Sequence, residues 1–394
     1  MTRSLSRRRL LASALGSVLV AGCGYRPGGG DVRWTAEPEG LATIDAIHAL
    51  PGDVLTVSQS VRRYDFEREV WRSGGIVTAY DPTEGMTSGE VGLPGRVRCH
   101  AAAETGVYVG VDGELIAVAP DGTRRWGVDL PGTPVAIDGG DGLVAMLLDS
   151  GTIRALGTDG TDRWTTSIVA GDADEGTPTD DRANGSDGTD EADAEPEETR
   201  PPADHGSVLG VSSGHVVAQI ERSPPQLTVV DIDGRRQWTR RGPSFVPARA
   251  SPTVVENRLV YLSRRHLGAL AIGDGAERWT ETVGSPHGFT VADGRCYLLD
   301  RTRLSALTLG GRRRWTFGPP ANEGAGWRFS AVPVATADGV YAATGRRLFG
   351  VAPDGTERWR ARIDTRPRDL ALADGVVVRT GERGLVAHWR RDQF

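Results

Sequence analysis

Leu348-Phe-Gly-Val-Ala-Pro-Asp-Gly-Thr-Glu-Arg-Trp359 reads as a strand, a tight turn and a second strand that ends on tryptophan. Small and apolar residues fill Leu348 to Ala352, and Asp354-Gly355 supplies the residues that tolerate left-handed backbone in a short hairpin. The unit recurs as LIAVAPDGTRRW (115–126), IRALGTDGTDRW (153–164), LTVVDIDGRRQW (227–238), LGALAIGDGAERW (267–279) and LSALTLGGRRRW (304–315). A degenerate copy, IVTAYDPTEGM, spans 76–86. The tryptophans lie 38, 74, 41, 36 and 44 residues apart from Trp126 through Trp164, Trp238, Trp279 and Trp315 to Trp359. A period of roughly 40 with strand-like units and no 3.6-residue pattern indicates propeller blades. The 53 glycines and 23 prolines suit an all-β protein with many turns.

Each unit has a front half. Ala103-Glu-Thr-Gly-Val-Tyr-Val-Gly110, Val291-Ala-Asp-Gly-Arg-Cys-Tyr-Leu298 and Ala337-Asp-Gly-Val-Tyr-Ala-Ala-Thr-Gly345 are turns followed by strands. Short runs opened by proline precede them at Pro134, Pro252 and Pro333, where a strand start needs no ladder donor. A blade is therefore four antiparallel strands: A, Asp-Gly turn, B, loop, C, Asp-Gly turn, D. Asp31-Val-Arg-Trp34 is a D strand without a C strand before it, and Gly384-Leu-Val-Ala-His-Trp389 is a C strand with no D strand after it. Pairing the two unites the chain ends in one shared blade, gives an eight-bladed β-propeller over 31–394, and removes the open sheet edge.

The pattern DGxVY…G…LxALDxxxGxxxW resembles the repeat of the pyrroloquinoline-quinone-like (PQQ-like) propeller family. That family includes the quinoprotein alcohol dehydrogenases and the outer-membrane-assembly lipoproteins. The resemblance implies that Trp34, Trp126, Trp164, Trp238, Trp279, Trp315 and Trp359 are structural residues packed between blades. A quinoprotein dehydrogenase would further require carboxylates and an amide around calcium, a catalytic aspartate and usually an adjacent Cys-Cys pair. The chain has no such pair and no haem-attachment C-x-x-C-H, so neither quinone nor calcium is expected. The seven histidines sit in different repeats without ligand spacing, and no metal site is expected.

Residues 1–22 read as a leader: Arg7 and Arg8 lie in Ser6-Arg-Arg-Arg-Leu-Leu11, a twin-arginine export pattern, and Leu10–Val20 is too short to span a bilayer. Val20-Ala-Gly-Cys23 resembles a lipobox, with Cys23 carrying lipid and 24–30 a flexible tether. The chain contains no lysine, which indicates a GC-rich genome, read through codon bias or a high-salt habitat of the haloarchaeal kind. Residues 171–200 carry twelve acids against two arginines, while the remaining mature chain balances at 40 against 40. Overall charge gives no ground for a nucleic-acid partner. Cys99 and Cys296, four repeats apart in apolar strands, read as buried free thiols.

Two insertions break the period. Residues 61–72 extend the B–C connection of the first blade, and 171–205 extend a D–A connection. The second is too acidic and too poor in apolar residues to form a core, is expected to be disordered, and contains the sequon Asn184-Gly-Ser186 for possible glycosylation. Both insertions, with the connection at 319–329, belong to one face. Tyr64, Phe66, Trp71, Trp327, Arg328, Arg249, His287 and Arg368 are the candidate binding residues there. The expectation is a monomeric, non-catalytic scaffold on the outer face of the cell membrane, with an unidentified protein or surface ligand as partner. The alternative is a divergent quinoprotein dehydrogenase.

Overall fold

The computed structural model describes residues 28–38, 43–65, 70–168, 208–220, 225–241, 252–318, 327–382 and 384–391. They form eight four-stranded antiparallel sheets arranged as a ring, with no helix among the described residues. Blades 1 to 7 follow the chain: 46–92, 99–129, 134–167, 208–241, 253–282, 286–317 and 334–362. Blade 8 joins 370–389 to the N-terminal strand Val32–Ala36, which pairs with Leu385–Trp389. The shared blade expected from the sequence is present.

Position in the blade explains the composition of each strand. B and C strands lie between neighbouring blades and are covered on both faces, so Gly106–Val111, Leu143–Leu148 and Val376–Thr380 are buried at every residue. They read as continuous apolar runs for that reason. D strands form the outer wall and alternate instead, as in Arg124–Asp129 and Glu357–Arg362. The C–D turns are fastened by their aspartates: Asp121, Asp159 and Asp354 each accept the backbone N–H two residues ahead, at 3.0–3.1 Å.

The blades are held to each other by the tryptophans. A bulge beside each one, such as that between Ala155 and Leu156 in the pairing with Trp164, turns the indole towards the next blade. There its N–H donates to a carbonyl in the neighbouring C–D turn: Trp126 to Thr158, Trp164 to Ile232, Trp238 to Ile272, Trp279 to Leu309 and Trp315 to Pro353. The turn glycine lies under the ring. Gly355 has φ +93° and a Cβ there would stand 2.7 Å from Trp315, so both conformation and space demand glycine. One seam differs. In blade 1 the register position of the tryptophan is held by Gly89, opposite Ala79. The blade 2 turn rests directly on its backbone, and a Cβ on Gly89 would meet the Asp121 carbonyl oxygen at 2.0 Å.

Ring closure uses the same device with a divided turn. Trp359 donates to the Arg390 carbonyl at 2.9 Å while Gly30, from the other chain end, lies against its ring. Trp34, only 7% exposed, then reaches onward to Pro82 of blade 1 at 2.8 Å. His388 fastens the clasp. Its Nε2 accepts Arg379 Nε–H at 3.0 Å, which leaves Nδ1–H to donate to the Gly30 carbonyl at 2.8 Å. Arg379 is in turn paired with Asp364 at 3.1 Å. Burial, with the Arg379 charge adding to it, lowers the His388 pKa to about 4 against opposition from the Gly30 hydrogen bond.

Two outcomes follow for the clasp. Deleting 31–36 exposes Leu385–Trp389 as an edge and removes the Trp34 contact, so calorimetry should show a melting temperature lower by many degrees, with aggregation on heating. Trp34→Phe, which loses one hydrogen bond, should cost only about 1–2 kcal/mol. A truncated protein that melts with the parent contradicts the shared blade. As to pH, an unfolded chain protonates His388 below roughly 6.5 and the folded one only near 4. The stability that His388 contributes is therefore complete above pH 6.5 and lost as pH falls towards 4, by up to about 3 kcal/mol. Melting profiles of parent and His388→Gln, in which other titrating groups cancel, should converge between pH 7 and pH 4; a constant offset contradicts the assignment.

Candidate functional site

In each blade the A–B and C–D turns lie on one face of the ring and the B–C and D–A loops on the other. The turn face is uniform, built from Asp-Gly pairs such as Asp141-Gly142, Asp293-Gly294 and Asp374-Gly375. The loop face is irregular, and it holds the sequence-derived candidates that lie within the described residues. Its largest feature is the blade 1 hairpin, Asp53–Asp65 with Val70–Tyr80, whose strands run to 13 and 11 residues where other blades use three to seven. Beyond the irregularity between Ser58 and Val61, five further register pairs carry it from the ring by roughly 15 Å, with Tyr64 opposite Trp71 in the backbone ladder.

Arg328 and Arg368 are exposed on this face, and His287 is half-buried at the start of the inner strand of blade 6. The Arg368 N–H is tied to Thr380 Oγ1 at 2.8 Å, which fixes the loop that presents the side chain. Trp327 is a correction. It is 7% exposed and packs against Phe349 at 4.7 Å and Phe317 at 6.0 Å, with the Arg347 guanidinium 5.8 Å from its ring. The indole is turned inward onto these aromatics, so it supports the face without offering a contact. Phe66, Arg249, Asn184, Cys23, Arg7, Arg8 and the acidic insertion lie outside the described residues.

The channel wall is made of inner strands rich in Ala, Gly and Val, and its polar groups close seams. Asp138 accepts the Val211 N–H and Asp369 the Ile47 N–H, each at 2.8 Å and each from the next blade's inner strand. Burial pushes the Asp138 carboxyl up to about 6. His48 of blade 1 meets His100 of blade 2 at 2.9 Å, with rings edge to face, across the seam where Gly89 replaces tryptophan. Burial first and the neighbouring imidazole second lower the His48 pKa to about 3. Both rings are therefore neutral near pH 7, one donating to the other. Cys99 and Cys296, in blades 2 and 6, are free thiols pushed up to about 12 by burial, which removes their nucleophilic form.

A cavity of about 280 Å³ lies between blades 4 and 5, lined by Arg240, Tyr261, Ser263, His266, Glu277 and Thr280 among others. It arises from a one-residue displacement. Tyr108, Tyr297 and Tyr341 oppose the residue that pairs with their blade's tryptophan, whereas Tyr261 falls one place later, opposite Gly268, and so faces the other way. The volume lies at the lower edge of small-molecule sites. Among the described residues no three His, Cys, Asp or Glu side chains are grouped to hold a metal ion.

Sequence reasoning missed a set of arginines on the loop face. Arg264-Arg265, Arg301-Thr-Arg303 and Arg346-Arg347 occupy equivalent B–C loops of blades 5, 6 and 7, and five of these six arginines are exposed while Arg347 is half-buried. The signal was available once repeats are aligned: the basic residues fall just before the C strand in three consecutive units.

Residues 226–387 match the family model described as outer membrane protein assembly factor BamB. Among curated proteins none matches the sequence significantly. In fold the chain is similar to BamB from Moraxella catarrhalis, at 16% identity and TM-score 0.59 over 91% of this chain and 97% of that one. It is also similar to the computationally designed Ika8 protein, at 14% identity and TM-score 0.63 over 92% and 99%. Sqt1 of Saccharomyces cerevisiae gives 9% identity and TM-score 0.58 over 93% and 99%. At these identities the structural likeness is one of fold. The match over residues 226–387, together with the likeness in fold to BamB, supports a PQQ-like, BamB-like β-propeller family.

Proposed function

We propose that this chain is an exported, lipid-anchored, non-catalytic scaffold that binds a protein partner through its loop face. The observation that carries the reading is the opposition of the two faces. Gly30 and Arg390 meet at the position of a C–D turn, so the described N-terminal residues lie on the turn face, while the long blade 1 hairpin and the irregular loops project from the opposite side. An anchor through Cys23 would then hold the loop face away from the membrane, where a partner reaches it. A rigid ring that presents variable loops is a common arrangement for recognition. The matched family is described as an assembly factor, which supports a partner that is itself a protein. The seam-closing use of the channel aspartates and histidines, and the suppressed thiols, support binding over catalysis. We take the anchored chain to act as a monomer.

Membranes of the native host separate the parts of this reading. Cys23→Ser should abolish lipid attachment and leave the precursor uncleaved or the protein released; unchanged processing and membrane retention would remove the anchor. Replacing residues 61–74 with a short Gly-containing turn should abolish partner recovery while the melting temperature stays within about 2 °C, because loop closure depends weakly on length. Intact recovery moves the partner off this face. A rise in melting temperature on adding pyrroloquinoline quinone with calcium would instead favour a quinoprotein enzyme.

A further inference from the structure

The balanced charge of the ring conceals a segregation between its faces. Asp-Gly turn chemistry loads the turn face with acids, among them Asp121, Asp141, Asp159, Asp293, Asp354 and Asp374. On the loop face, blades 5 to 8 do the reverse. The B–C loops present exposed Arg264, Arg265, Arg301, Arg303 and Arg346. The D–A connections add exposed Arg328, Arg366 and Arg368. Exposed acids among the described residues of these loops are Asp364, already paired with Arg379, and Glu382. No ion pair among the described residues engages these eight guanidinium groups. Blades 2 and 3 are different: Asp112 and Asp149 lie in their B–C loops, and Arg98 is paired with Asp112 at 2.8 Å.

We infer that the loop face of blades 5 to 8 docks an acidic polypeptide segment of the partner, a conclusion that rests on the loop face being the binding side. Eight like charges over four adjacent blades cost mutual repulsion, which a polyanion relieves. Arginine presents a planar fork that holds a carboxylate through two parallel hydrogen bonds, and the B–C loops of blades 5 to 7 are each carried on a paired B and C strand. The base of the sector is fixed where Arg347 lies over the buried Trp327. Carboxylates are favoured over nucleic acid because the described loop-face residues of blades 5 to 8 include no exposed aromatic on which bases could stack, Trp327 and Phe329 being buried there. A bilayer held through the proposed Cys23 anchor is disfavoured because Gly29 and Gly30, towards that chain end, lie on the opposite face.

The test uses the full lipidated chain in detergent micelles, with a fluorescent twelve-residue Glu/Asp peptide as probe. The loop-face variant carries Arg301→Glu, Arg303→Glu, Arg328→Glu and Arg346→Glu. A charge-matched control carries Arg163→Glu, Arg278→Glu, Arg314→Glu and Arg358→Glu, exposed residues next to the outer-wall tryptophans. Anisotropy should show binding that weakens with salt, survives within about twofold in the control and falls at least tenfold in the loop-face variant. Arg→Gln at the four loop positions should fall between. Three outcomes overturn the inference: no binding at low ionic strength, equal weakening in both Glu variants, or displacement of the peptide by a single-stranded oligonucleotide of equal charge at a tenth of the peptide concentration. If shortening the blade 1 hairpin abolishes partner recovery while the peptide fails to bind, the loop face stands and the acidic partner does not.

Discussion

An indole N–H that crosses a seam to a carbonyl in the next blade's outer hairpin is the contact on which this ring depends. It joins two requirements at one point. The hydrogen bond fixes how far the neighbouring blade turns, and the ring face fixes how closely its hairpin can approach, which is why glycine lies beneath it. Strand sequence serves the same contact: the bulge beside each tryptophan exists because an unbroken ladder would not aim the side chain at the neighbour. Seven such contacts link eight blades, and the eighth seam replaces the indole with direct backbone packing at Gly89 and the His48–His100 pair.

That dependence explains the chain termini. A ring stitched by local contacts still has to join its first and last residues, and here the joint reproduces an ordinary outer turn from two separate segments. Trp359 meets Arg390 and Gly30 as Trp315 meets Pro353 and Gly355. Placing the joint at an outer turn brings Gly29 and Gly30 to the turn face, against Trp359. The loops opposite are then free to vary without disturbing closure, and blade 1 uses that freedom for a hairpin about twice the usual length.

Much of this was legible in the sequence for a physical reason: the tryptophan, the turn glycine and the strand between them are all needed in every copy, so they leave a period. The Trp34 strand was legible by the same logic, as half of a unit whose other half stands at the far end of the chain. Gly89 was not, because its function is to lack a side chain and nothing in the chain distinguishes it from other glycines. Trp327 was misread as a contact residue since loop length tells nothing of which way a side chain folds; only the aromatic neighbours Phe317 and Phe349 decide that. The basic residues of the B–C loops were present in every one of those three repeats. Their meaning required knowing that the loops share one face.

The central claim, that the seams are closed by a circuit of equivalent tryptophan contacts, is tested most directly by hydrogen exchange of the indole N–H groups in protein labelled with nitrogen-15 at its ten tryptophans. Trp34, Trp126, Trp164, Trp238, Trp279, Trp315 and Trp359 should exchange slowly and at a common rate, because each is released only when the ring opens. Rates for these seven that scatter blade by blade, or that match exchange in the unfolded chain, would contradict it.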